Sequence, residues 1–180
     1  MNISRHALCV VLAIAANACA SNNVLLIIAD DFGLDASSIY NSAQGASLAP
    51  TPNIASLAAN GVKFANAYSY TVCSPARSAI LTGRYGSRTG TANVVGGPAS
   101  NNGLKASEFT LPDAFAANSG LNYQLKHIGK WHLGGANTSP CLIGGWPSFA
   151  GAMLGEIDDC VNWTKVTGSA PDQVRRVSTR

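Results

Sequence analysis

Three residues that lie close together in the sequence could carry chemistry on an anion. Cys73, Pro75 and Arg77 form a Cys-x-Pro-x-Arg pattern. Proline suits the first turn of a helix, because its missing N–H is not needed there. The backbone N–H groups at a helix start, together with a cation one turn further on, stabilise negative charge. The pattern therefore predicts a nucleophile at position 73 that works on an anionic group.

Two adjacent carboxylates, Asp30 and Asp31, follow the apolar run Val24–Ala29. This run is β-branched and aliphatic, as expected for a strand that is buried on both faces of a parallel sheet. Open α/β sheets bind their ligands at the carboxyl ends of such strands. Paired carboxylates at that position mark a candidate ligand-binding edge, although an Asp-Asp pair by itself is also typical of a solvated turn at the end of a strand.

A second group of polar residues lies in the string Gly-Lys-Trp-His-Leu-Gly, which contains Lys130 and His132. Alternate residues of an extended segment point the same way. We therefore expect Lys130 and His132 to face one cleft while Trp131 packs on the opposite side. His127, three residues before Lys130, is interpreted as an ordinary strand residue.

The Cys-x-Pro-x-Arg and Gly-Lys-Trp-His strings resemble the two active-site motifs of type I sulfatases, which belong to the alkaline-phosphatase-like superfamily. The resemblance runs from about Val24 to about Gly168. It implies that a maturation enzyme converts Cys73 to formylglycine, whose hydrated aldehyde attacks the sulfur of a sulfate ester. The implied partners are a small-molecule or carbohydrate sulfate ester and that maturation enzyme.

The same resemblance implies a divalent metal, calcium in first place and magnesium as the alternative. It assigns the metal ligands to Asp30, Asp31 and the modified Cys73. It assigns catalytic roles to Cys73, Arg77, Lys130 and His132, with Lys130 and Arg77 stabilising anionic charge and His132 assisting by hydrogen bonding or proton transfer.

The order of predicted elements indicates an α/β fold. Strands are predicted over Val24–Ala29, Val62–Tyr70 and Tyr123–Ile128, and helices begin near Pro52, Pro75 and Thr110. The stretch from Gly86 to Gly103 is expected to be a loop, and no closing element is expected after Pro171. The fold class predicted with the resemblance is a mostly parallel sheet flanked by helices, as in alkaline phosphatases and sulfatases, and truncated.

Composition and the chain ends bound the function further. The chain has 180 residues, of which 12% are charged, with a net charge of +3. This small charge excess argues against a nucleic-acid surface. Residues 1–20 resemble an export signal that ends in a small-x-small cleavage site, so residues 21–180 would be the mature chain. We expect export to a periplasm or the exterior and no membrane span after signal removal, with lipidation at Cys19 as the weaker alternative.

Sulfatases complete their metal site with residues much further along a longer chain. Residues 21–180 are therefore interpreted as the amino-terminal portion of a sulfatase catalytic domain, expected to be poorly stable and inactive when isolated. Two functional alternatives stay open: a phosphonate or phosphate monoesterase of the same superfamily, and an inactive exported fragment. A disulfide between Cys141 and Cys160 is a further possibility in an oxidising compartment.

Overall fold

The structure is a computed structural model that describes residues 23–40, 48–97, 100, 102–134, 139–157, 163–169 and 173–178. The chain divides into two compact units between Phe32 and Gly33. Each unit is described by itself. Residues 1–20, which were interpreted as an export signal and include Cys19, lie outside the described residues, as does Cys160.

The first unit contains the apolar run Val24–Ala29, which is exposed and forms no strand. Leu25 is 84% exposed and Ile27 is 72% exposed. The prediction of a buried strand here is wrong for this structure. A strand is stabilised by a hydrogen-bonded neighbour, and none of the described residues pairs with this run.

Helices in the second unit begin where local sequence signals predict them. Within the described residues, the α-helices are α1 (Pro52–Asn60), α2 (Cys73–Thr82), α3 (Gly86–Thr89) and α4 (Leu111–Ala117). The predicted helices near Pro52, Pro75 and Thr110 are thus confirmed. The helix α3 was not predicted, because a single four-residue turn within a Gly- and Ser-rich stretch has no apolar periodicity.

The helix α2 ends at a glycine with a left-handed backbone. Gly83 has φ 66°, and its N–H donates to the Ala79 carbonyl oxygen at 2.8 Å. A residue without Cβ adopts this conformation without strain, so glycine is a common residue just past a helix. The sequence-based end point at Gly83 is confirmed.

The sheet has four strands in the order β1 (His127–Ile128), β2 (Ser148–Gly151), β3 (Thr164–Ser169) and β4 (Gln173–Ser178). The strands β1 and β2 pair in parallel, whereas β2–β3 and β3–β4 pair antiparallel. The described sheet is therefore mixed, because its carboxyl-terminal part is a meander.

Three strand expectations differ from this sheet. The segment Val62–Tyr70 forms no strand, so that prediction is wrong, and Tyr123–Ile128 is a strand only over its last two residues. The prediction that no element follows Pro171 is also wrong, because β4 lies there. The sequence of β3 mixes Thr, Lys and Gly, and such a polar run becomes a strand only through its neighbours.

The core of the second unit is formed by the buried side chains of Leu81, Leu104, Trp131, Leu133, Phe149 and Val166. Leu81 comes from α2, and Trp131 and Leu133 come from the segment that follows β1. The backbone of this segment is tied to β2 and the residues after it: Gly129 N–H donates to Ala150 O at 2.9 Å and Trp131 N–H donates to Ala152 O at 2.8 Å. The core therefore packs the carboxyl-terminal end of α2, through Leu81, with the segment that follows β1.

Candidate active site

Cys73 and His132, which are 59 residues apart in the sequence, meet at the start of α2. The Cys73 Sγ atom lies 3.1 Å from His132 Nδ1. Cys73 is the first residue of α2 and is half-buried, whereas His132 is buried. The structure thus brings together one residue from each of the two strings that resembled an active site.

The orientation of the His132 ring follows from its other hydrogen bond. Its Nε2 atom lies 3.1 Å from the Val95 carbonyl oxygen, which can only accept. Nε2 therefore carries a hydrogen, and in the neutral ring Nδ1 is the acceptor that faces the Cys73 thiol. The His132 backbone has φ 52° and its N–H donates to Met153 O at 3.1 Å.

Arg77 is buried beside the same segment, with 6% of its surface exposed. Its Nη1 atom donates to the backbone carbonyl of Lys130 at 2.7 Å. The geometry excludes a surface role for this arginine. It joins the first turns of α2 to the residue that precedes Trp131 and His132.

The Gly-Lys-Trp-His string was expected to be an extended segment with Lys130 and His132 on one side and Trp131 on the other, and its backbone differs from that. Trp131 is fully buried in the core, as expected. His132 has a left-handed backbone, however, so the segment is not a regular extended strand at this residue. Lys130 contacts Arg77 through its backbone carbonyl oxygen, which accepts the hydrogen bond from Arg77 Nη1. His127 Nε2 lies 3.3 Å from the same oxygen.

Three residues near the site were not singled out from the sequence. Ser74 is fully buried, and its Oγ accepts from the Val95 N–H at 3.0 Å, which holds the carbonyl partner of His132. A Cβ atom at Gly155 would lie 2.5 Å from the His132 Cε1 atom. The position of Ser74 between Cys73 and Pro75 could have marked it as a site residue in the sequence. No sequence pattern around Val95 or Gly155 indicates that either residue lies near the site.

His127 is surrounded by aromatic rings. It makes edge-on contacts with Trp131, Trp146 and Phe149, whose ring centroids lie 5.8, 5.2 and 5.3 Å away. Burial lowers the pKa of His127 below its usual value of 6.5, with the charge of Arg77 acting in the same direction and the hydrogen bond to Lys130 O opposing. This histidine is therefore neutral at neutral pH.

Of the two cysteines considered for a disulfide, Cys141 and Cys160, the structure describes only Cys141. Cys141 forms no disulfide with any described residue, and burial raises the pKa of its thiol. Cys160 lies outside the described residues, so the pairing stays a prediction.

The two carboxylates proposed as metal ligands belong to the first unit. Asp30 and Asp31 are both exposed, and Asp31 has φ 51°. Two adjacent carboxylates supply the oxygen donors that calcium and magnesium prefer, so the donor chemistry fits a divalent cation. In the part of the chain that the structure describes, no group of three or more His, Cys, Asp or Glu side chains could hold a metal ion.

The fold and this constellation define a class: an α/β protein with a cysteine–histidine pair and a buried arginine at a helix start. A family model described as Sulfatase matches residues 22–172. The crystal structure of Ps i-CgsB matches 60% of this chain and 24% of its own, with a TM-score of 0.53 and 30% identity. The fold class is therefore α/β of the alkaline-phosphatase and sulfatase type, and the chain belongs to the sulfatase family.

Curated relatives agree with this assignment. Bovine arylsulfatase A (Bos taurus) is 40% identical over 126 residues, which is 68% of this chain and 24% of that protein. Human steryl-sulfatase (Homo sapiens) is 35% identical over 150 residues, which is 77% of this chain and 24% of that protein. Pig N-acetylgalactosamine-6-sulfatase (Sus scrofa) is 37% identical over 121 residues, which is 62% of this chain and 22% of that protein. The chain spans about a quarter of the length of these relatives.

Among the helices that the structure describes, none has the length and apolar character needed to cross a bilayer.

Proposed function

We propose that the protein containing this chain hydrolyses sulfate esters with a nucleophile derived from Cys73. The contact between Cys73 Sγ and His132 Nδ1 carries the proposal. It unites the two motif strings around one atom, as an active site requires. Membership of the sulfatase family supports the reaction class.

Position 73 acts in this proposal as formylglycine. The Cys73 Sγ atom stands in for the oxygen of the hydrated aldehyde, which supplies the attacking group. The hydrate oxygen forms a new bond to sulfur while the S–O bond to the alcohol breaks, and the alcohol leaves with a proton. The second hydroxyl of the sulfated hydrate then loses its proton as the C–O bond to sulfate breaks, which releases sulfate and restores the aldehyde for water to hydrate. Covalent catalysis of this kind divides one difficult displacement into two easier steps.

By the resemblance to sulfatases, Asp30, Asp31 and the oxygen at position 73 would hold a divalent metal. Such an ion would supply positive charge that polarises the oxygen atoms of the reacting groups. Calcium suits a site of carboxylate oxygens with a high coordination number, and magnesium is the alternative.

His132 is proposed to move a proton at position 73. Its Nε2–H group is committed to the Val95 carbonyl, so the Nδ1 lone pair faces the reacting atom. A general base needs this placement within hydrogen-bond reach of the proton it takes. His132 would accept a proton from a hydroxyl of the hydrate.

The two cations are proposed to stabilise the anionic sulfate. Lys130 would pair with the sulfate oxygens through its ammonium group. Arg77 is one helical turn from Cys73, and its donation to Lys130 O fixes it beside that turn. Positive charge that is held in place before the reaction needs no reorganisation as negative charge develops.

The alcohol part of the substrate stays open within the class of sulfate esters. The names of the curated relatives refer to aryl, steryl and aminosugar sulfates, so this family accepts chemically unlike alcohols. We propose export as the location, from the signal-like residues 1–20.

Turnover of an aryl sulfate by the mature full-length protein tests the proposal. We expect 4-nitrophenyl sulfate to be hydrolysed well above 4-nitrophenyl phosphate, and Cys73→Ala to abolish the reaction. Removal of divalent metal by a chelator should also abolish it, with recovery on adding calcium. Mass spectrometry of the peptide that contains position 73 should find an aldehyde where the sequence has a thiol.

Each alternative has its own outcome in the same experiment. Preferred hydrolysis of the phosphate would support a phosphate monoesterase, since the metal and nucleophile chemistry are shared. No turnover of either ester by protein that melts cooperatively and carries the aldehyde would contradict a hydrolase and favour an inactive exported protein.

A further inference from the structure

The backbone carbonyl of Lys130 accepts hydrogen bonds from two side chains. Arg77 Nη1 donates at 2.7 Å, and His127 Nε2 lies at 3.3 Å. A carbonyl oxygen has two lone pairs and can accept both donors. The oxygen of Lys130 is therefore the point at which α2 and β1 are joined beside the Cys73–His132 pair.

This arrangement assigns the hydrogen on the His127 ring. The Lys130 carbonyl only accepts, so His127 Nε2 carries the hydrogen, and a neutral ring then leaves Nδ1 without one. The Nδ1 atom is buried and finds no hydrogen-bond partner among the described residues. Three aromatic neighbours, Trp131, Trp146 and Phe149, surround the ring edge-on. The ring is thereby held in the orientation that directs Nε2 to Lys130.

Fixing this carbonyl also restricts the direction in which the side chain of Lys130 leaves the backbone. The carbonyl and the Cα–Cβ bond belong to one residue, so their directions are linked through its backbone. On the amino-terminal side, Gly129 has φ 115° and would allow rotation that a residue with Cβ resists. On the carboxyl-terminal side, Trp131 is fully buried. Lys130 thus lies between a conformationally permissive glycine and a buried tryptophan, and the two hydrogen bonds to its carbonyl restrict its backbone.

We infer that His127 is a positioning residue for sulfate ester hydrolysis, because it donates to the Lys130 carbonyl and thereby orients Lys130 together with Arg77. This inference rests on the proposed function. His127 does not contact the reacting atom at position 73 and acts only through Lys130. Neither the resemblance to sulfatases nor the comparisons assign it a role.

Two substitutions at His127 distinguish the effect of its N–H donor from the effect of its aromatic ring. His127→Phe keeps a flat aromatic side chain among the three rings and loses the donor, whereas His127→Gln keeps an N–H donor. In the mature full-length protein we expect His127→Phe to lower kcat/KM for an aryl sulfate about 10- to 100-fold, the scale of a small misplacement of catalytic groups. His127→Gln should restore most of this loss. Wild-type activity in folded His127→Phe, or His127→Gln no more active than His127→Phe, would overturn the inference.

A second measurement does not depend on turnover. The ¹³C shift of the Lys130 carbonyl reports its hydrogen bonds, so we expect it to change in His127→Phe and to stay close to wild type in His127→Gln. An unchanged Lys130 shift in His127→Phe would overturn the inference even if the protein hydrolyses no sulfate ester. Wild-type inactivity combined with the expected shifts would instead contradict the proposed function and leave the positioning contact supported.

Discussion

At the residue scale, His132 reaches Cys73 because the residue that packs over its ring is a glycine. A Cβ at Gly155 would lie 2.5 Å from Cε1 and 3.0 Å from both ring nitrogens of His132. Such distances require the ring to move, since contacts below about 3 Å are strongly repulsive. A displaced ring would lose either the Val95 carbonyl or the atom at position 73.

We therefore expect Gly155→Ala to lower kcat for an aryl sulfate about 10-fold or more, the effect of a small misplacement of a catalytic group. Gly120→Ala is the matched control, because a Cβ there meets nothing within 4 Å. Steady-state kinetics and thermal melting of both variants provide the measurement. Equal kcat in the two variants would show that the ring accommodates the methyl group.

His127 makes stability depend on pH in a known direction. Its pKa is lowered below 6.5 in the folded chain, chiefly by burial, and the facing charge is that of Arg77. The unfolded chain therefore binds the proton more readily, so the free energy of unfolding falls as pH drops below about 6.5 and until the folded pKa is passed. Above that range this contribution is fully present.

The wild-type protein should thus lose more stability between about pH 7.5 and pH 5.5 than His127→Phe, in which no group titrates at this position. Urea midpoints at the two pH values measure the difference. His127→Gln serves as the control, since it too removes the titrating ring while keeping a donor. Parallel pH dependence in wild type and both variants would contradict the lowered pKa.

At the element scale, α4 begins with a capping box that also reaches a neighbouring loop. Thr110 Oγ1 accepts from the Asp113 N–H at 3.4 Å, and the Asp113 carboxylate accepts from the Thr110 N–H at 2.8 Å. Thr110 Oγ1 also lies 3.1 Å from the Gly144 carbonyl oxygen. The cap therefore links α4 to the turn that precedes β2.

Thr110→Ala should lower the free energy of unfolding by about 1–2 kcal/mol, the usual cost of losing such a cap. Thr110→Ser keeps the hydroxyl and should lose much less. Denaturant titration of the two variants against wild type decides this. A loss of the same size in both would assign the effect to the methyl group instead of the hydroxyl.

Helices and strands differed in how well the sequence predicted them, and the reason is physical. The helix α1 begins at Pro52, α4 follows the capping Thr110, and α2 has Pro75 in its first turn, so all three depend on residues within a few positions. Strands depend on partners that lie far away in the sequence. The apolar run Val24–Ala29 satisfies every local criterion for a strand and forms none, whereas the polar β3 pairs with β2 and β4.

At the scale of the whole molecule, the first unit carries a contiguous apolar run that is exposed. Leu25 and Ile27 are both largely exposed, and contiguous apolar surface of this kind promotes association. This exposure accords with the expectation that the isolated chain has low stability.

We expect the 180-residue chain, expressed alone, to bind a hydrophobic dye and to self-associate. The double substitution Leu25→Glu and Ile27→Glu should reduce both, because it replaces apolar surface with charge. Gln124→Glu adds negative charge at another exposed residue and should change neither. Light scattering and dye fluorescence measure the outcome, and equal association in the two proteins would locate the apolar contact elsewhere.

The amino-acid sequence by itself determined the family and the positions of the chemistry-bearing strings, because Cys73 to Arg77 and Lys130 to His132 are local patterns of residue type and spacing. Only the tertiary structure decided what these strings do to one another. The contact of Cys73 with His132 and the two hydrogen bonds on the Lys130 carbonyl join residues that are far apart in the chain. Such contacts depend on the packing of Trp131 and its neighbours into a common core, which no local pattern encodes.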